Sequence, residues 1–127
     1  MIKNEYKQHV IDVITKVLKA IHNKDYNDIS NIVDQSEITD MESLFHCVQK
    51  SLEMNGFDCI DEYGIPCNFH PKYEYSQIRF YEFDNHSGFD VEYDLTSSSE
   101  LVDMCLQMKF LYTKSGLKSI FESISPQ

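Results

Sequence analysis

The chain has 127 residues, 42% hydrophobic and 25% charged, with only three prolines and four glycines; this is the length of one domain with enough apolar content for a core, and it excludes a disordered linker. Twenty-one acidic residues against eleven Lys and Arg leave a formal charge of −10, which disfavours nucleic acid and anionic lipid as partners and favours a cationic surface, a metal ion, or simple solubility. No apolar run approaches the roughly 20 residues that span a bilayer, no secretory signal is read from Met1 onward, and Cys47, Cys59, Cys67 and Cys105 follow no disulfide framework, so a cytoplasmic protein with reduced thiols is expected.

Residues 3–22 carry the clearest helical pattern. Tyr6, Val10, Ile14, Val17, Leu18 and Ile21 recur at spacings of three and four and form one apolar stripe. A short helix is predicted over 26–33, with Tyr26, Ile29, Ile32 and Val33 on its buried face. Thr39 and Glu42 have the spacing of a capping box ahead of Met41, Leu44, Phe45, Val48 and Leu52, and Gly56 suits a helix end. From Phe57 to Lys72 the punctuation by Gly64, Pro66 and Pro71 predicts a packed irregular segment.

The period then changes from 3.6 to 2. Residues 73–83, rich in Tyr, Phe and Ile, suit a strand. Asp84 to Gly88 reads as a turn. Phe89, Val91, Tyr93 and Leu95 alternate with Asp90, Glu92 and Asp94, which predicts a strand with one buried and one acidic face. A long alternating strand follows through Tyr112. Residues 117–124 fit either a fourth strand or a helix, and the strand is favoured because it extends the meander. The whole reads as a single α+β domain over residues 1–127: helices over about 3–56, an irregular loop over about 57–72, and an antiparallel sheet of three to four strands over about 73–124.

The acid is concentrated. From Phe80 to Met108 there are seven acids and no Lys or Arg, whereas five of the eleven basic residues lie within the first 24 positions. Period-two spacing puts Asp90, Glu92 and Asp94 on one sheet face, where like charges repel; a cation-binding face accounts for them, and so does a merely solvated one. We take Asp90, Glu92 and Asp94 as the partner-binding candidates, with Glu82, Asp84 and Tyr93 beside them. Cys67 and His70 have one ligand-like spacing, with Cys59, His46 and Cys47 elsewhere, but a structural zinc site takes four such ligands in close pairs. Asp58, Asp61 and Glu62 lack the spacing of a calcium loop. No nucleophile elbow or phosphate-binding loop is present. No metal, cofactor or catalytic residue is assigned.

The segment Gly88-Phe89-Asp90-Val91-Glu92-Tyr93-Asp94-Leu95, then Ser98-Ser99-Glu100-Leu101 and a long alternating strand, resembles strand pairs in bacterial immunity proteins of contact-dependent inhibition and related polymorphic toxin systems. The resemblance covers residues 73–124 in pattern. It implies a cystatin-like or NTF2-like fold and a non-enzymatic protein that neutralises a cognate toxin, a basic nuclease in many such systems. The expected partner is therefore a basic toxin domain, bound by a monomer or weak dimer that engages neither nucleic acid nor membrane. The alternative the same layout implies is an NTF2-like cone that holds a small molecule, as a binding domain or minor enzyme.

Overall fold

An amphipathic helix and a half-apolar sheet each need a surface to cover, and here they cover each other. The computed structural model describes residues 2–126. Helix α1, Asn4–His22, buries Val10, Val13, Ile14, Val17, Leu18, Ala20 and Ile21, which extends the predicted stripe. The short helix expected next is split into a 3₁₀ turn, Tyr26–Asp28, and a single turn α2, Ile29–Ile32. A two-residue strand β1, Gln35–Ser36, follows, then α3, Met41–Met54. The cap of α3 is Asp40 and not Thr39. Its carboxylate accepts the Ser43 N–H at 3.0 Å and the Ser43 hydroxyl at 2.7 Å, so its two oxygens serve both groups where a threonine would offer one.

The sheet has the strands β2, Ile78–Glu82; β3, Gly88–Ser97; β4, Glu100–Thr113; and β5, Gly116–Pro126. These four form the antiparallel meander, and residues 117–124 are strand. The spatial order is β1-β5-β4-β3-β2, with β1 adding parallel to β5. The α+β class and the helices-then-strands order are as predicted, and β1 makes the sheet mixed and five-stranded. Asp34 holds β1 in place: its carboxylate accepts the Ser119 N–H at 2.8 Å, while its own N–H donates to the Ser119 carbonyl at 3.1 Å.

β2 begins at Ile78, five residues later than predicted. The Tyr75 side chain goes to the Asp94 carboxylate and the Gln77 side chain to the Asp94 carbonyl, while the Gln77 carbonyl accepts the Asp94 N–H as the last bond of the ladder. On the helix side, Phe89 and Phe110 stack at 5.6 Å, and with Phe121, Leu95, Leu106 and Met108 they belong to one core with α1, Met41, Val48 and Leu52. Gly88 is needed where β3 meets β4, because a Cβ there would run into the Phe110 carbonyl oxygen.

The irregular segment wraps the far end of the sheet. Ile60 enters the core and Tyr63 packs on Tyr93 at 5.7 Å. Asp61 then reaches the β3–β4 turn. That turn has two central residues, Ser98 and Ser99, both at positive φ (+50° and +69°). Such a type I′ turn ordinarily uses Asn-Gly. Here the Asp61 carboxylate accepts the N–H of Ser98 at 3.1 Å, the N–H of Ser99 at 2.8 Å and the Thr96 hydroxyl at 3.0 Å. Asn68 adds a hydrogen bond to the Ser99 carbonyl at 2.8 Å. The strain of the turn is thus offset from a distant segment. In urea unfolding, Asp61→Ala should lose about 2 kcal/mol, since its backbone donors lose a charged acceptor. Ser99→Gly should gain up to about 1 kcal/mol by removing the left-handed penalty.

Candidate functional site

Alternation along β3 sends Phe89, Val91, Tyr93 and Leu95 into the core and Asp90, Glu92 and Asp94 to the opposite face. Register then sets the neighbours on that outer face. Arg79 of β2 pairs with Glu92 and then Gln107 of β4; Tyr81 pairs with Asp90 and then Lys109; Asp94 pairs with Cys105. The three acids share a face as the spacing predicts, but they do not share a role.

Asp94 is 4% exposed and engaged from three sides. Arg79, the only arginine of the chain, forks onto it with contacts of 2.8 and 2.9 Å. The Tyr75 hydroxyl donates to the same carboxylate at 2.6 Å. Gln77 donates to the Asp94 carbonyl at 2.8 Å. The hydrogen bond to Asp94 holds the Arg79 guanidinium still further above its ordinary pKa, and burial followed by the Asp94 bond raises that of Tyr75. Asp94 is therefore an internal anchor, and its assignment to the partner surface is corrected: a carboxylate buried in a sheet is held by a bidentate cation and has no oxygen to spare for a partner.

Tyr93 is corrected as well. It lies 4% exposed on the core side against Tyr63, and burial pushes its hydroxyl up to about 12. Glu92 is half-buried, with Arg79 Nε at 3.5 Å. Cys105, beneath them, is a buried free thiol pushed up to about 11, first by burial and then by the charges of Glu92 and Asp94; a thiol so protonated is a poor nucleophile.

The acids that meet solvent lie at the other end of β3. Asp90 is half-buried, its Oδ1 is buried, and its side chain shares a hydrogen bond with Glu122. Glu122 of β5 comes beside it at the β-bulge facing Gln107 and Met108 of β4. Burial raises the pKa of Glu122, the Asp90 charge raises it further, and Lys109, 3.9 Å away, opposes both. With Tyr81, Val91, Glu92 and Gln107 these acids line a notch of about 150 Å³. Asp90 also lines a shallower hollow of about 450 Å³ with Tyr81, Glu82, Phe83, Asp84 and Asn85, at the β2–β3 turn. Asp84 is exposed there, and Tyr81 is 49% exposed. Glu82 pairs with Phe89 and so has the helix-side parity of β2. No Lys or Arg lines either concavity.

The structure thus keeps Asp90, Asp84 and Glu82 at one corner, leaves Glu92 as a bridge, and withdraws Asp94 and Tyr93. It adds Tyr81 and Glu122. Glu122 had no signal in the sequence, because a bulge brings it to Asp90. The signal for Arg79 was present: a lone arginine two residues from Tyr81 on a strand facing three acids. Among the described residues, no group of three or more His, Cys, Asp or Glu has the geometry to hold a metal ion, and no helix is long and apolar enough to cross a membrane.

A family model described as Domain of unknown function (DUF7668) matches residues 18–127, and the chain belongs to that family. No curated protein and no solved structure matches it.

Two outcomes are expected at this face. Arg79→Met leaves the Asp94 carboxylate buried without its cation and should cost about 3 kcal/mol in urea unfolding. The raised pKa of Glu122 means the folded chain holds that proton more tightly than the unfolded one, so its contribution is full at low pH and is lost as pH rises through the folded value. Glu122→Gln should therefore match the parent in acid and become progressively more stable than it as pH rises, as read by urea midpoints across a pH series.

Proposed function

We propose that this DUF7668 protein is an immunity protein that binds and neutralises a cationic partner, a cognate basic toxin domain, through the acidic corner of Tyr81, Asp84 and Asp90. The toxin identity rests on the immunity-protein resemblance. The single observation that supports binding is Asp90: a half-buried carboxylate, crowded by the Glu122 carboxyl, in the wall of two concavities that no Lys or Arg lines. Two acids crowded on one sheet face repel each other, and a lysine or arginine brought by a partner would offset that repulsion.

The surroundings suit a protein surface. Tyr81 and Phe83 supply aromatic area beside the charge, the combination that anchors interfaces. A nuclease toxin has a basic, phosphate-binding surface, so an acidic corner can cover it and speed encounter. The small-molecule alternative draws less support. Phe89, Phe110, Phe121, Leu106 and Met108 fill the space between helices and sheet with almost no exposure, where a ligand-holding cone would keep a cavity.

The test is co-purification with the protein encoded directly upstream, at low and high salt, followed by titration of the Asp84→Lys/Asp90→Asn variant. A complex that weakens as salt rises, and at least tenfold (about 1.4 kcal/mol) in the folded variant, is the expected result. A complex indifferent to both salt and variant would remove the corner from the interface, and no complex at either salt would remove the immunity role.

A further inference from the structure

β2 is a lateral edge of the sheet, paired with β3 on one side only. At one end of that pairing the Phe83 N–H donates to the Gly88 carbonyl at 3.0 Å; at the other the Asp94 N–H donates to the Gln77 carbonyl at 2.9 Å. Hydrogen-bonded pairs of an antiparallel ladder recur every two residues. Gln77, Arg79, Tyr81 and Phe83 therefore turn their backbone polar groups toward β3. Ile78, Phe80 and Glu82, between them, turn theirs outward, and Glu82 is engaged in interactions of its own. The Ser76 hydroxyl occupies the Ile78 carbonyl. Among the described residues none hydrogen-bonds the outward N–H or C=O of Phe80.

Exposed edges are ordinarily blunted by lysine, proline, a bulge or a covering strand. The opposite edge follows that rule, since β1 covers β5 from Ser119 to Phe121. The β2 edge is left open at Phe80. Its sequence Ile-Arg-Phe-Tyr-Glu has neither Lys nor Pro, and the one cation, Arg79, is folded onto Asp94 and Glu92 instead of guarding the edge.

We propose that this edge receives an extended segment of the cationic partner as a sixth strand, a docking mode that rests on the acidic-corner reading above. Main-chain hydrogen bonds to Phe80 would hold the segment, and alternate side chains would select it. The two sides of the edge differ in charge. On the outer side an incoming side chain meets Tyr81 and the hollow of Asp84 and Asp90, which takes a base. On the helix side it meets Phe80, over whose ring Lys7 Nζ already sits 5.4 Å from the centroid, so the position beside Phe80 disfavours a second cation, while Glu82 lies two residues further along that side. The segment that fits has a basic residue facing the hollow of Asp84 and Asp90 and an uncharged residue beside Phe80. A second copy of this chain fits less well, because joining two β2 edges would bring together Asp84 and Asp90 from two chains of charge −10.

The experiment is amide hydrogen exchange by NMR on the full chain, free and in complex with the upstream-encoded toxin domain. The expected result is that the Phe80 amide slows at least tenfold on complex formation, while Arg79 and Tyr81, already bonded to β3, change little. A salt-sensitive complex in which Phe80 exchanges at its free rate would overturn the sixth strand and leave the acidic-corner reading standing. Absence of any complex would overturn both. Phe80 protection in the free protein that grows with its own concentration would assign the edge to self-pairing and overturn the partner strand.

Discussion

A carboxylate in the middle of a sheet loses its water and must be given something in return. Asp94 receives a guanidinium fork, a phenol and, through its carbonyl, an amide. All three come from residues 75–79, so one buried charge fixes where the irregular segment stops and where β2 begins. It also sets the register of β2 on β3, because Arg79 reaches Asp94 from a position paired with Glu92. The ion pair is a locating device more than a source of net stability, since desolvating two charges offsets most of their attraction.

The same pair shapes the surface. By drawing the chain's only arginine toward Asp94 and Glu92, it keeps that cation out of the hollow at the β2–β3 turn, which among the described residues no lysine lines either. The acidic corner and the unguarded edge are thus two results of one side chain's placement. They also divide labour in time. Charge acts over about a Debye length, near 8 Å in physiological salt, and so governs approach. Main-chain pairing acts only at contact, and so governs how long a partner stays.

Much of this was legible from residue order. The stripe of α1 and the strict alternation of β3 each record a single buried face, and burial of one face is what periodicity encodes. The fourth strand was readable only through its neighbours, because Leu117, Ile120, Phe121 and Ile124 satisfy two periods at once. Three things were not readable. β1 is two residues long and is held by Asp34, 85 positions from its partner Ser119. The cap of α3 shifted to Asp40 because its carboxylate has two oxygens that take both Ser43 donors. The roles of Asp90 and Asp94, identical by parity, diverged because the irregular segment covers one end of the outer face and not the other. A strand pattern specifies sides, and cover along a side comes from chain that carries no pattern.

The Ser98–Ser99 turn bears on how the chain acquires its shape. Hairpins with favourable turns can close within microseconds from local contacts alone. This one has two L-residues in left-handed conformations, and its relief comes from Asp61, 37 and 38 positions earlier. The β3–β4 hairpin is then a poor nucleus by itself, and its closure waits on the docking of the segment that also carries Ile60 into the core. Order in the meander would be received from the helical half, which makes the linker between the halves a participant in folding and not merely a connection.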